Sequence, residues 1–405
     1  MSVVFSGLMC HAPIVIPAVA GDRAGLCRNT TRSMRELAWR AVHSGAERLV
    51  LISPHSPRHR RAWGAWVGRI RGDLGASGHA EVSVDLPGDA QVIEALGLTA
   101  ISDPPALDHG AVVPLSFLVE QGWTGPTVVI ALPREGADCE RLGQAIGALP
   151  GRTAVLASGD MSHRLIPEAP AGFHPQAQDF DLAFVRALIQ GGSILDLPWQ
   201  EDAAEDVVDS SRVARASAPW LNAQVLSYEG PWGVGYTQAI FHDPAPPLWA
   251  IARDAVAAQV RLQDYVAPPG PPSRGVFCTL KIDGELRGCI GHLSPVFEDL
   301  HRELAMVAQA SASQDPRFGA VREDELFDLE IEVRLLDPPR PGRPVDPRVD
   351  GCVVTSGRRR GLLLPDIEGV DTVEQQIAIC RRKARIGPDE PVELQTFGST
   401  RVAPP

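Results

Sequence analysis

Apolar residues recur along the first 245 positions in two rhythms. Short runs of consecutive apolar residues alternate with longer stretches whose apolar positions return at helical spacing. Residues 3–6, 48–53, 127–132 and 153–158 read as strands. The last three are apolar enough to be buried on both faces. Residues 32–44, 89–98, 139–149, 178–190 and 202–221 read as helices. This alternation predicts an α/β domain, a central sheet flanked by helices. The rhythm changes after His242-Asp-Pro-Ala-Pro-Pro247, whose prolines mark a linker. A helix is expected from 248 to about 265, a proline-rich stretch at 268–272 and a strand at 276–282. A hairpin turn follows at Asp283-Gly284, and a half-solvated strand of period two at 329–335. Residues 339–347 form a second proline-rich loop. The second half therefore reads as a separate α+β domain, giving domains at 1–245 and 246–405.

A chain of 405 residues suits two cores. With 44% hydrophobic and 22% charged residues it has a globular balance. Its net charge of −12 argues against a nucleic-acid binder and fits a small-molecule enzyme or a protein partner. The seven cysteines are scattered and contain no CxxC pair. That predicts a reducing, cytoplasmic setting without disulfides or a clustered-thiolate zinc site. The apolar run 3–20 ends in Ala-Val-Ala-Gly like a signal-peptidase site. No Lys or Arg precedes it, and His11, Pro13 and Pro17 interrupt it, so it reads as a buried first strand and its loop. No segment suits a membrane span.

Histidines supply the candidate chemistry. His11, in Cys10-His-Ala-Pro13, follows the first strand. His55, in Ser53-Pro-His-Ser-Pro57, follows the second. His163, in Ser158-Gly-Asp-Met-Ser-His163, follows the 153–158 strand, and His109 sits in Asp108-His-Gly110 ahead of a helix. Ligands of open α/β sheets bind beyond the carboxyl ends of strands. Two imidazoles and a carboxylate on one face of a metal make a non-haem Fe(II) site with open positions. Further imidazoles there can move protons near neutrality. His43, His59 and His79 read as ordinary loop residues, and His174, in Phe173-His-Pro175, as either a pocket residue or a helix start.

These four elements, with Val113-Pro-Leu-Ser116 after the third, resemble in kind and order the class III extradiol ring-cleaving dioxygenases and the related Memo proteins. The resemblance spans roughly the first 245 residues. It implies His11 and His55 as Fe(II) ligands and His109 and His163 as acid–base residues. Another divalent ion or copper is the alternative occupant. A later acidic residue completes the family's ligand set. Here it falls in Glu205-Asp-Val-Val-Asp-Ser-Ser211, with Asp209 the first choice and Glu205 the second. The segment Ser227-Tyr-Glu-Gly-Pro-Trp-Gly-Val-Gly-Tyr236 resembles the family's closing strand and turn, with Tyr228 and Trp232 as candidate pocket walls. The resemblance implies a catechol-like aromatic substrate and O2, one histidine taking a proton from the diol and the other returning one.

In the second half, Lys281-Ile-Asp-Gly-Glu-Leu-Arg-Gly-Cys-Ile-Gly291, Asp315-Pro-Arg-Phe318, Leu329-Glu-Ile-Glu-Val333 and Arg360-Gly-Leu-Leu-Leu-Pro365 resemble the AMMECR domain. Arg287 is expected near Cys289, where a guanidinium would lower a thiol pKa. The competing reading makes Cys289 a small buried hydrophobe. The glycines 288 and 291 would admit a ligand or a second backbone. The fusion resembles the composite protein of the bacterial and archaeal AmmeMemoRadiSam system, which implies a radical-SAM partner. Three functions compete: an extradiol-type oxygenase, a metal- or redox-binding protein without ring cleavage, and an interaction module for a modifying enzyme. A homo-oligomer is compatible with each.

Overall fold

A computed structural model describes residues 2–404 apart from 56, 102–105, 219–222 and 327. It divides into two compact units, the first running to Pro246 and the second from Pro247 to Pro404.

The strands of the first unit are β1 Val3–Met9, β2 Arg48–Ser53, β3 Gly64–Trp66, β4 Arg69–Leu74, β5 His79–Pro87, β6 Thr99–Ile101, β7 Thr127–Ala131, β8 Thr153–Ser158, β9 Gln224–Glu229 and β10 Tyr236–His242. Its helices are α1 Pro17–Ala20, α2 Arg28–His43, α3 Ala90–Ala95, α4 His109–Glu120, α5 Cys139–Gly147, α6 Ala177–Gln190, α7 Gln200–Ala203 and α8 Val208–Ala216. Eight strands form one mixed sheet in the order β6-β3-β7-β2-β8-β1-β10-β9. Its middle, β7-β2-β8-β1, is parallel, and β10 and β9 extend it antiparallel. The apolar runs are buried on both faces because side chains alternate across the sheet. Leu49 and Leu51 pack with Met34, Leu37, Val112 and Leu115 of α2 and α4. Val50 and Ile52 pack with Leu142, Ile146, Phe180, Phe184 and Val213 of α5, α6 and α8. Parallel pairing brings the carboxyl ends of β1, β2 and β8 to one edge, which is where the candidate histidines sit.

The helix expected at 202–221 is broken. Short α7 ends at Ala203, and Ala204 is left-handed at φ +54°, an unfavourable conformation for a residue with a Cβ. The chain resumes as α8 at Val208. The expected end of this helix, at 221, lies outside the described residues.

Asp181 of α6 is fully buried. Its Oδ1 accepts from Ser162 N–H at 2.9 Å and its Oδ2 from the Tyr228 hydroxyl at 2.9 Å. Tyr228 is thus bonded to a structural carboxylate. Burial pushes the Asp181 carboxyl up to about 7, against the pull of both hydrogen bonds. The unfolded chain gives up this proton near its ordinary value while the folded chain keeps it. Stability therefore falls as pH rises from about 4 to about 7, by about 4 kcal/mol at most, and then levels off. Asp181→Asn is expected to unfold at a higher temperature than the native chain at pH 8 and to lose that advantage near pH 4. Thermal unfolding across this range checks it, and a gap that does not change with pH would contradict it.

The second unit contains α9 Leu248–Val260, β11 Val276–Ile282, β12 Glu285–His292, α10 Leu300–Ser313, β13 Leu329–Leu336, β14 Arg340–Pro341, β15 Gly351–Ser356, β16 Arg359–Leu363, α11 Val373–Lys383, β17 Glu393–Phe397 and β18 Ser399–Val402. Two four-stranded sheets result, β12-β11-β13-β18 and β14-β17-β15-β16. The glycines of the 281–291 hairpin serve packing. A Cβ on Gly288 would lie 2.2 Å from Ser311 O of α10, and one on Gly291 would lie 2.1 Å from the Phe277 ring. Arg287 is engaged elsewhere than at the Cys289 thiol. Its guanidinium is held by Glu325 and by the carbonyls of Gly319 and Ala320. The guanidinium beside Cys289 is that of Arg317, whose Nη2 donates to Cys289 O at 3.3 Å. The Cys289 thiol lies 3.3 Å from Thr279 Oγ1. No helix among the described residues is long and apolar enough to cross a membrane.

Candidate metal centre

The first residues beyond β1, β2 and β8 converge. His11 N–H donates to Asp160 Oδ1 at 2.8 Å, tying the end of β1 to the loop after β8. The His11 ring is buried, and its Nε2 lies 3.0 Å from His55 Nε2. His109, the first residue of α4, brings its ring centroid to 4.6 Å from that of His55 and 5.5 Å from that of His11. Each of the three histidines offers a nitrogen within 4.8 Å of the others'.

A carboxylate, Asp206, joins His11 and His55. Its Oδ2 lies 3.0 Å from His55 Nε2 and 3.4 Å from His11 Nε2. Its Oδ1 accepts from Asp160 N–H at 2.7 Å, which turns Oδ2 toward the imidazoles. The two acidic residues singled out from the sequence lie elsewhere. Asp209 accepts from Arg212 Nη1 at 3.0 Å and from Cys139 Sγ at 3.7 Å, one face of α8 away. Glu205 accepts from the N–H groups of Val207 and Val208 at 2.7 and 2.9 Å and from Gln200 Nε2 at 2.8 Å. It caps the start of α8, where the first N–H groups lack helical partners. The left-handed turn at Ala204 changes which residue faces inward.

The electrostatics call for a cation. Burial opposes a charge on His11, yet Asp160 and Asp206 outweigh it and raise the imidazole to about 9. Burial likewise opposes ionisation of Asp206, and His11 and His55 overcome it, holding that carboxyl below its usual range. His109 goes the other way. Burial, then His11 and His55, lower it to about 4. Two imidazole nitrogens and a carboxylate oxygen 3.0–3.4 Å apart have the mutual spacing of donors around one ion with bonds of roughly 2.1 Å. Without a metal, a proton on His11 supplies the positive charge. The donor set fits a divalent metal, and the first unit gathers a histidine-rich site able to hold one.

His163 sits on the rim. A carbonyl can only accept, so its contact with Ala204 O at 2.8 Å makes Nδ1 the donor and leaves Nε2 as the acceptor. His174 is not gathered here; its Nε2 faces Asp202 Oδ1 at 3.7 Å. Trp232 packs on the core beside Tyr236, with ring centroids 6.3 Å apart. Asp160 and Asp206 were missed from the sequence. For Asp160 the signal was its place in the Ser158-Gly-Asp-Met-Ser-His163 run beyond β8.

Comparison with known proteins gives the family. Residues 7–237 match the catalytic LigB subunit of aromatic ring-opening dioxygenase, and residues 249–402 match AMMECR1. A protein of Clostridium acetobutylicum is 28% identical over 97% of this chain and 98% of its own length. One from Thermotoga maritima is 51% identical over 30% of this chain and 74% of its own. Among solved structures, an uncharacterised protein of Pyrococcus horikoshii is 30% identical with a TM-score of 0.36, covering 38% of this chain and 88% of that one. The chain therefore belongs to the family of the catalytic LigB subunit of aromatic ring-opening dioxygenase and carries an AMMECR1 domain after it.

Proposed function

We propose that this chain is an Fe(II)-dependent oxygenase of the extradiol type acting on a catechol-like aromatic substrate, with His11, His55 and Asp206 as the metal ligands. The observation that carries this reading is the convergence of three donor atoms within 3.4 Å at the carboxyl ends of parallel strands. Two histidines and one carboxylate leave positions open for substrate and oxygen. When bound, Fe(II) supplies the Lewis-acid and redox chemistry. The chain's own groups position the ligands and handle protons. Asp160 holds Asp206 through its N–H and His11 through its carboxylate. His163, with Nδ1–H engaged by Ala204 O, offers Nε2 to take a proton from a substrate hydroxyl. His109, whose ring stands 4.6 Å from that of His55, is the second imidazole this reading assigns to the proton-handling side of the reaction.

The test is anaerobic loading with Fe(II) followed by oxygen uptake on a panel of catechols and aminophenols. Substrate-dependent uptake with a ring-opened product supports the reading. Stoichiometric iron with no uptake on any of them would overturn the oxygenase and leave a metal-binding protein.

A further inference from the structure

We infer that Ser158 is a positioning residue of the metal centre, holding His11 in the tautomer that leaves Nε2 free for the ion. The inference rests on the metal reading above. It begins in the sequence of α4. Gly110 O would ordinarily accept from the N–H four residues on, but that residue is Pro114, which has none. A buried carbonyl without a partner is costly. Ser158, fully buried at the end of β8, meets the need: its hydroxyl donates to Gly110 O at 2.5 Å.

The hydroxyl has one proton, and the carbonyl takes it. Toward His11 Nδ1, 2.9 Å away, Ser158 Oγ can then only accept. Nδ1 must carry a hydrogen. With Nδ1 keeping its hydrogen, the nitrogen that gives up a proton to an ion is Nε2, and Nε2 is the atom facing His55 and Asp206. The opposite tautomer would need the hydroxyl to turn to Nδ1 and abandon Gly110 O. His11 Nδ1–H, the Ser158 hydroxyl and the Gly110 carbonyl that Pro114 leaves open thus form one hydrogen-bond chain with a single direction. This is the outer-shell support that metal-bound histidines commonly have, supplied here by a hydroxyl that a helix has left no choice.

Zn(II), redox-silent and diamagnetic, is the probe. Competition titrations with a chromophoric chelator are made on the full-length native chain, Ser158→Ala and Ser158→Thr, alongside thermal unfolding of each metal-free protein. Ser158→Ala is expected to weaken Zn(II) binding by about 10–100-fold with Ser158→Thr restoring it. Nitrogen NMR of histidine-labelled, Zn(II)-loaded native protein needs no variant. It should show His11 bound through Nε2 with a proton on Nδ1. Native affinity in a folded Ser158→Ala, or a His11 bound through Nδ1, overturns the inference and leaves the metal centre standing. A native chain that binds no Zn(II) or Fe(II) overturns both.

Discussion

Asp206→Ala is expected to strip the protein of Fe(II), while Asp209→Ala leaves the metal in place. Asp206 Oδ2 is the one carboxylate oxygen within 3.4 Å of both His11 Nε2 and His55 Nε2 among the described residues. Removing it leaves two imidazoles, and the loss of affinity should exceed the roughly 100-fold that losing an outer-shell partner costs. Asp209 is bonded to Arg212 and to Cys139 of α5, so its removal should touch the α5–α8 contact and leave the metal centre alone. Glu205→Ala separates capping from ligation. It removes the acceptor for Val207 and Val208 N–H, which costs about 1 kcal/mol of local stability. Iron content would fall only so far as that loosening displaces Asp206. Metal analysis after anaerobic reconstitution, with circular dichroism to confirm folding, decides the matter. Iron retained in a folded Asp206→Ala, or lost in Asp209→Ala, would transfer the ligand role.

The contrast between Asp206 and Asp209 marks where the sequence stopped being legible. The parallel strands were readable because each is a short apolar run, and the chemistry followed because ligands gather beyond the carboxyl ends of such strands. That reasoning brings out His11, His55 and His163, each just past a strand, without any knowledge of side-chain direction. The acidic run Glu205-Asp-Val-Val-Asp209 is different. In an unbroken helix, Glu205 and Asp209 are four residues apart and share a face, while Asp206 points to another. The break at Ala204 depends on a left-handed alanine, which no local preference signals. Tyr228 and His174 could not be decided between a pocket and a structural role for a related reason. A polar side chain near a pocket motif looks functional until its partners, here Asp181 and Asp202, are known. The 281–291 hairpin in the second unit shows the converse. Its glycines look like room for a ligand, and in the fold that room is taken by α10 and by the Phe277 ring.

His163→Ala and His109→Ala are each expected to lower turnover by about 10²–10⁴-fold while iron stays bound. Neither is needed to complete the donor set of His11, His55 and Asp206, so metal content and catalysis should separate in these variants as they cannot in Asp206→Ala. His163 makes the sharper case. Its ring donates Nδ1–H to Ala204 O, and that carbonyl is presented by a residue in a conformation its side chain disfavours. Ala204→Gly removes the conformational cost and keeps the carbonyl available, so activity should survive it. Ala204→Pro forbids the left-handed turn. It should cut turnover through both His163 and the neighbouring Asp206, with iron lost as well. Steady-state oxygen uptake beside metal analysis distinguishes these outcomes. Loss of iron in His163→Ala would make His163 part of the metal shell. Full turnover in that variant would leave His109 as the proton carrier and reduce the strained alanine to a means of turning the chain toward Asp206.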